Sequence, residues 1–235
     1  MGIFSRRKPL KQNASDANKV KSIRNDAEFR HVMDFYHMSL ECTSSLVERN
    51  ALREYLLFLL KKEWEFSSVT DVLYYPKQAY NSHRISIPLE SKPESPKQWR
   101  CRHLSQGEKV SLANDAVITF PREWKRCTHT ALVLGKEPFL QDTQNHSGIY
   151  FHYMDFCYMT NGYHSIAAGI AFQKGEIEVE EIDDSPILEN IYTDGTYWYD
   201  ETTKTVVGEV GDYHEALIFQ LAKESFLENQ NDGTC

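Results

Sequence analysis

Apolar residues recur every three or four positions in the first third of the chain. This spacing predicts an amphipathic helix from about Lys19 to Leu40. Its apolar positions are Phe29, Met33, Tyr36 and Leu40. A capping box of Ser45 and Glu48 predicts the start of a second helix. The apolar stripe of that helix is Leu52, Tyr55, Leu56, Leu59 and Leu60. We expect the two helices to form an antiparallel hairpin over 19–66 that packs on the rest of the chain.

From residue 67 onward, prolines and glycines become frequent, and short apolar runs alternate with segments of helical spacing. Strands are predicted at 85–89, 148–160 and 176–182, with a β-hairpin around 197–207. Helices are predicted to open at the capping box 105–108 and to cover 121–134, 164–172 and 212–227. This order predicts an α+β fold, in which the N-terminal helical hairpin is followed by a small mixed β-sheet with helices over 67–235.

Composition places the chain among ordinary globular proteins, with 235 residues, 41% hydrophobic and 26% charged. No stretch approaches the roughly 18 apolar residues that a membrane span needs, so we expect no membrane association. The basic start leads into a polar run, so we expect no signal peptide. Five scattered cysteines without a C-x-x-C pair argue against a zinc ribbon or a disulfide framework and indicate a reducing cytoplasm.

The net charge of −8 is unevenly distributed. Residues 1–30 carry eight Lys or Arg against three acids, and we expect the basic tail 1–18 to be disordered because it lacks an apolar face. A basic tail also leaves nucleic-acid binding open. Residues 175–201 carry ten acids and no Lys or Arg, which makes this segment a candidate surface for a protein partner.

The most informative segment joins a predicted strand to a helix rich in small residues through Asn161 and Gly162. The first turn of a helix has backbone N–H groups without intrahelical partners, and glycine lets a phosphate approach the backbone. We therefore interpret Asn161, Gly162, Tyr163 and Ser165 as a candidate nucleotide or phosphate site, with His164 as its acid–base group. An alternative is that Gly162 only makes a tight turn and that His164 caps or packs against it.

The order of strand, Asn-Gly turn, helix and strand over residues 84–184 resembles the ParB and sulfiredoxin-like fold. The segment Asn161–Ile170 also resembles an uncharacterised bacterial domain family with an Asn-Gly-x-His-Ser signature. The first resemblance implies a nucleotide triphosphate at the turn. Sulfiredoxin has its catalytic cysteine where this chain has Tyr163, which excludes sulfinic-acid repair. ParB proteins have two arginines where this chain has His164 and Ser165, which removes a phosphate clamp.

Asp183 and Asp184 end the acidic strand, and the predicted topology places them near the turn, where they are the best candidates to hold Mg²⁺ together with ligand phosphates. The alternative, which the pattern favours, is that these acids belong to a solvated face. Two functions from different classes follow. The first is a cytoplasmic bacterial protein that binds phosphate or nucleotide, as a hydrolase or a phosphotransferase, with His164 as the catalytic residue. The second is a non-enzymatic protein-interaction module whose partner surface is the acidic segment 175–201. The sequence leaves open whether the protein is an enzyme.

Overall fold

The computed structural model describes residues 14–74 and 85–232, which form six helices and eight strands. The helices are α1 (Ala14–Leu40), α2 (Leu46–Tyr74), α3 (Trp124–Leu134), α4 (Tyr163–Phe172), α5 (Ser185–Asn190) and α6 (Tyr213–Asp232). The strands are β1 (Arg102–Ser111), β2 (Val117–Ile118), β3 (Ser147–Phe151), β4 (Phe156–Asn161), β5 (Glu176–Asp183), β6 (Ile191–Thr193), β7 (Tyr197–Asp200) and β8 (Val206–Glu209). The predicted α+β class is confirmed.

The strands form two sheets. The larger has the order β1-β5-β3-β4-β2 and is mixed, because β3 is parallel to β5 and antiparallel to β4, while β2 is parallel to β4. The smaller is an antiparallel meander of β6, β7 and β8. The helices α1 and α2 both pack against α6. None of the helices in the described part of the chain combines the length and apolar character that a membrane crossing requires.

One large apolar core joins the N-terminal helices to the rest of the fold. Phe29, Met33 and Tyr36 of α1 are buried in it, as the spacing predicts. Trp64 of α2 lies in the same cluster and packs on Phe156 at the start of β4, with ring centroids 5.6 Å apart. The predicted boundary at residue 66 falls inside α2, which continues to Tyr74.

The start of α2 confirms the predicted capping box. The Glu48 backbone N–H donates to Ser45 Oγ at 3.2 Å, and the Glu48 carboxylate accepts from the Ser44 backbone N–H at 2.6 Å. Further along α2, the buried Glu65 carboxylate accepts from the Val117 backbone N–H at 2.8 Å and ties the helix to β2.

The second predicted capping box is wrong, because Ser105 and Glu108 lie in β1 and not at a helix start. Ser105 Oγ donates to the Glu181 carboxylate of β5 at 3.1 Å, so its hydroxyl serves the pairing of two strands. The register between β1 and β5 shifts on both sides of Ser105, which marks bulges in this edge strand. The long pairing with β5 outweighs the local helix signal.

The predicted strand 85–89 is also not formed, and its segment is held by side-chain bonds instead. The Ser86 backbone N–H donates to the buried Glu215 carboxylate of α6 at 2.9 Å. Ser86 Oγ accepts from the Gly211 backbone N–H at 2.7 Å and from Trp198 Nε1 at 3.0 Å. These bonds fix the segment against α6 and β7, and the Leu89 carbonyl at its end accepts from the Cys101 backbone N–H at 3.0 Å.

The predicted tail 1–18 lies mostly outside the described residues, which begin at residue 14. Helix α1 starts at Ala14, so the last five residues of the predicted tail are helical, contrary to the prediction of disorder for them. Helix α3 starts at Trp124, three residues after Pro121, and the Trp124 side chain is exposed and not on a buried face.

Candidate functional site

The turn between β4 and α4 requires glycine. Gly162 has a φ of +82°, in the left-handed region, and stands at the N-cap of α4. A Cβ at this position would lie 2.5 Å from His146 Cδ2 and 2.8 Å from the Asn145 carbonyl oxygen. The Gly162 backbone N–H donates to Asn161 Oδ1 at 2.9 Å, which tightens the turn from its other side.

His146 lies under this turn and is buried. Its Nδ1 accepts from the Asp142 backbone N–H at 3.0 Å, so the ring proton is on Nε2. Nε2 therefore donates to Ser165 Oγ at 2.7 Å, and Ser165 Oγ donates to the Gly162 carbonyl at 3.0 Å. Burial lowers the pKa of His146, which disfavours the charged ring.

This arrangement fixes the role of Ser165. A serine nucleophile needs a histidine nitrogen that accepts its proton, and the nitrogen facing Ser165 already carries one. The Ser165 hydroxyl proton is also used by the Gly162 carbonyl. Ser165 thus locks the turn from inside, and in this geometry it has no proton to donate to a ligand.

His164 connects the first turn of α4 to the start of α3. Its Nε2 accepts from the backbone N–H groups of Arg122 and Glu123, at 3.3 and 3.2 Å, so the proton of the neutral ring is on Nδ1. Burial lowers the pKa of His164, and the neighbouring Arg126 lowers it further. His164 thus caps α3 rather than its own helix, and Nδ1 is the ring atom left for a ligand.

A cleft of about 780 Å³ opens between α3 and the turn. All five predicted turn residues line it: Asn161, Gly162, Tyr163, His164 and Ser165. The opposite wall comes from one face of α3 and the residues before it: Arg122, Glu123, Lys125, Arg126, His129 and Thr130. Three of these side chains are permanent cations and one is an acid. The cleft is therefore positively charged, as an anion site requires.

The basic residues on the α3 side of the cleft are candidate site residues that the sequence analysis did not identify. Lys125, Arg126 and His129 are spaced as i, i+1 and i+4 on α3, and Arg122 lies two residues before the helix begins. The Arg122 guanidinium lies over the Tyr163 ring, 4.7 Å from its centroid. Arg126 Nε is 3.3 Å from the Glu123 carboxylate, and both side chains are largely exposed. The basic residues are visible as a cluster in the sequence. The sequence does not show that they lie against the turn between β4 and α4.

The expectation that Asp183 and Asp184 lie beside the turn is wrong. β5 is antiparallel to β4, so its C-terminal end lies near Phe156 at the start of β4, while the turn follows Asn161 at the other end. The length of β4 separates them by roughly 17 Å, at about 3.3 Å per residue. Neither aspartate lines the cleft.

Both aspartates bind protein groups instead. The buried Asp184 carboxylate accepts from the backbone N–H groups of Tyr153 and Met154, at 2.7 and 3.0 Å, and its burial raises its pKa to about 6. Asp183 accepts from Ser185 Oγ at 2.6 Å and from the Arg102 guanidinium at 3.0 Å. Within residues 14–74 and 85–232, no three His, Cys, Asp or Glu side chains are grouped to hold a metal ion.

Several acids of the segment 175–201 are bound by other parts of the chain. Lys109 pairs with Glu176 at 3.4 Å, and two histidines lie against glutamates further along the strand, His103 on Glu180 at 2.6 Å and His152 on Glu181 at 2.7 Å. Other acids accept backbone N–H groups in tight turns, as Asp194 and Asp200 do. A protein-partner surface at this segment stays a prediction.

The comparisons with known proteins identify a family but no function. No curated protein and no solved structure matches the chain, so the resemblance to the ParB and sulfiredoxin-like fold stays a prediction. One family model, described as a family of unknown function (DUF6710), matches residues 10–232. This match covers nearly the whole chain. The protein therefore belongs to the DUF6710 family, as the expectation of an uncharacterised domain family required.

Proposed function

We propose that the cleft between α3 and the β4–α4 turn binds a phosphate-bearing ligand of the nucleotide class. The observation that carries this proposal is the meeting of three cations, Arg122, Lys125 and Arg126, with the N-terminus of α4 in one cleft. A helix N-terminus carries about half a positive charge, and charged hydrogen bonds contribute about 1.5–3 kcal/mol each. An anion is the ligand that such a cleft favours.

The cations that line the cleft bear on the main difference from the ParB pattern, which is the absence of two arginines at the turn. The two arginines expected at the end of the turn are replaced by His164 and Ser165. Arg122, just before α3, and Arg126, within α3, line the same cleft. If the resemblance holds, guanidinium groups contributed by a different element replace the missing clamp.

His164 contributes to this site through Nδ1, because Nε2 is occupied by two backbone N–H groups. In the neutral ring Nδ1 carries the proton and is a hydrogen-bond donor to a phosphate oxygen. A hydrolase or phosphotransferase reaction would need acid–base chemistry at this same atom. We propose binding as the function of the cleft, and catalysis by His164 as a separate prediction.

Calorimetric titration tests the proposal. Purified protein is titrated with ATP, GTP and inorganic pyrophosphate, with and without Mg²⁺. We expect binding by at least one of them, weakened about tenfold or more in Arg126→Ala, as the loss of one charged hydrogen bond predicts. The matched control is Lys136→Ala, an exposed cation just beyond α3 that does not line the cleft.

The result also depends on ionic strength. Exposed cations that attract an anion are screened by salt, so affinity for the wild type should fall between 0.05 and 0.5 M NaCl, with a smaller dependence in Arg126→Ala. Absence of binding by all three probes, or equal affinity in Arg126→Ala and Lys136→Ala, would refute the proposal.

A further inference from the structure

A second cleft, of about 460 Å³, lies between the turn that joins β3 to β4 and the C-terminal half of α6. Among the described residues, it shares none of its lining with the cleft at the β4–α4 turn. Tyr153 of the turn and Phe226 of α6 meet edge to face, with ring centroids 4.9 Å apart, and this contact holds the turn against the helix. Their chain neighbours His152 and Ser225 line the same cleft.

His152 has the hydrogen bonding of a general base. Its Nδ1 is 2.7 Å from Glu181 Oε1 of β5, and because a carboxylate oxygen accepts, Nδ1 carries the ring proton. In the neutral ring, Nε2 then has the free lone pair and can take up a proton. Ser105 Oγ donates to the second oxygen of the Glu181 carboxylate at 3.1 Å and holds the carboxylate from its other side. The Glu181 side chain is 14% exposed and the imidazole 47%, so a largely buried carboxylate orients a ring that reaches solvent.

Ser225 presents a hydroxyl group on the opposite wall. Four cleft-lining positions of α6 follow the spacing i, i+3, i+4 and i+7 and share one helix face: Ala222, Ser225, Phe226 and Asn229. Ser225 is half-buried, and within residues 14–74 and 85–232 no hydrogen bond occupies its hydroxyl. Asn229 lies one helical turn beyond it and has an amide N–H that can donate to an oxyanion. A hydroxyl, an amide donor and an imidazole oriented by a carboxylate thus line one cleft.

We propose that this cleft is a hydrolytic site for small uncharged carboxylic esters, in which Ser225 is the nucleophile, His152 is the general base and Glu181 positions the imidazole. The same three roles define catalytic triads on unrelated folds, whatever their order in the chain. Ser225 and His152 are not hydrogen-bonded to each other in the structure, and a bond of this kind often tightens only when substrate binds. Among the described lining residues none is Lys or Arg, and Tyr153 and Phe226 offer apolar surface, which favours an uncharged acyl group.

The reaction balances within these groups and one water molecule. Ser225 Oγ bonds to the ester carbonyl carbon while its proton moves to His152 Nε2, and the carbonyl electron pair shifts to the oxygen, which accepts from the Asn229 amide. The C–O bond to the alcohol then breaks, and the alcohol oxygen takes the proton from Nε2. Water repeats the sequence on the acyl-serine, because its oxygen adds to the carbonyl carbon and its proton passes through Nε2 to Ser225 Oγ. The products are the alcohol, the carboxylic acid and the free serine.

An alkyl fluorophosphonate tests the nucleophile in the full chain. Its phosphorus bonds to an activated serine oxygen and fluoride leaves, so the intact mass shows the added group and peptide mapping locates it. We expect one label, on Ser225, and none in Ser225→Ala. Ser147→Ala is the matched control, because Ser147 is an exposed serine outside this cleft, and it should keep the label.

Hydrolysis of p-nitrophenyl butyrate separates the roles of the three residues. Loss of the nucleophile or of the base should lower kcat/KM by about 100-fold or more, in Ser225→Ala and in His152→Gln. His103→Gln is the matched control and should leave the rate unchanged, because His103 Nδ1 is 2.6 Å from Glu180 on the same strand but His103 does not line the cleft. In Glu181→Gln the carboxylate that favours the charged ring is absent, so the rising limb of the pH profile of kcat/KM should move to lower pH. A purely structural effect would lower the rate without this move, and circular dichroism confirms that each variant is folded.

Any of four results would overturn the proposal. The first is a wild-type chain that takes up no fluorophosphonate or hydrolyses the ester no faster than Ser225→Ala. The second is a label that persists in Ser225→Ala, which would place the nucleophile elsewhere. The third is an equal rate in His152→Gln and His103→Gln, which would exclude His152 as the base. The fourth is an unchanged pH profile in Glu181→Gln, which would remove the carboxylate from the triad.

Discussion

Replacing Gly162 by alanine should destabilise the protein by about 2–5 kcal/mol. The left-handed backbone at Gly162 costs an L-residue about 1–2 kcal/mol. The new methyl would lie 2.5 Å from His146 Cδ2 and 2.8 Å from the Asn145 carbonyl oxygen, and overpacking of this kind costs about 1–3 kcal/mol. The two costs add because one arises from the backbone and the other from the neighbours.

Urea unfolding followed by circular dichroism measures this difference. Gly107→Ala is the matched control, because Gly107 lies in β1 with no atom within 4 Å of the added Cβ, and its stability should change by less than about 1 kcal/mol. A His146→Ala background isolates one part of the overpacking cost. There the contact with Cδ2 is gone while the contact with the Asn145 carbonyl oxygen remains, so the penalty for Gly162→Ala should become smaller but stay above the backbone cost alone. If Gly162→Ala unfolds like Gly107→Ala, the turn geometry described above is wrong.

Two further predictions concern titrating groups. Burial holds the pKa of His164 below its ordinary 6.5, so around this pH the folded state binds fewer protons than the unfolded state. The free energy of unfolding should therefore fall as the pH drops below 6.5. In His164→Gln, the part of this pH dependence that comes from His164 should be lost. Unfolding of both proteins at pH 5 and pH 8 checks this, and equal pH dependence would contradict it. For Asp184, burial raises the pKa to about 6, so this group makes the protein less stable as the pH rises from about 4 to about 6. A carboxyl ¹³C NMR titration should find that value, and a midpoint below 4 would contradict it.

The two capping boxes show how far local sequence patterns predict the fold. Ser45 and Glu48 are followed by apolar positions at helical spacing, and a helix forms there. After Ser105 and Glu108 the apolar residues Val110 and Leu112 are two positions apart, which is the spacing of a strand. Val110 pairs with Ile177 of β5, and Leu112 directly follows the end of β1. The same motif thus starts a helix at one position and not at the other. The residues that follow it decide this, because a helix forms only where their spacing lets it bury an apolar face.

The candidate site was predictable only where it is continuous in sequence. The turn residues are neighbours in the chain, and Gly162 has the left-handed backbone that a strand–helix turn of this kind needs. Arg122 and Arg126 reach the same cleft from about forty residues upstream, and only the packing of α3 against α4 brings them there. The position of Asp183 depended on the direction of β5, which the alternation of apolar and acidic residues does not encode.

The bond between Glu65 and Val117 has a consequence for self-association of the large sheet. An exposed sheet edge offers free backbone N–H and C=O groups to a strand of another molecule, which is a common start of aggregation. Here the β2 edge is two residues long, and the Glu65 carboxylate already accepts the Val117 N–H. The opposite edge, β1, is interrupted by bulges and carries Arg102 and Lys109, which pair with acids of β5. Both edges of the sheet are therefore poor templates for strand addition.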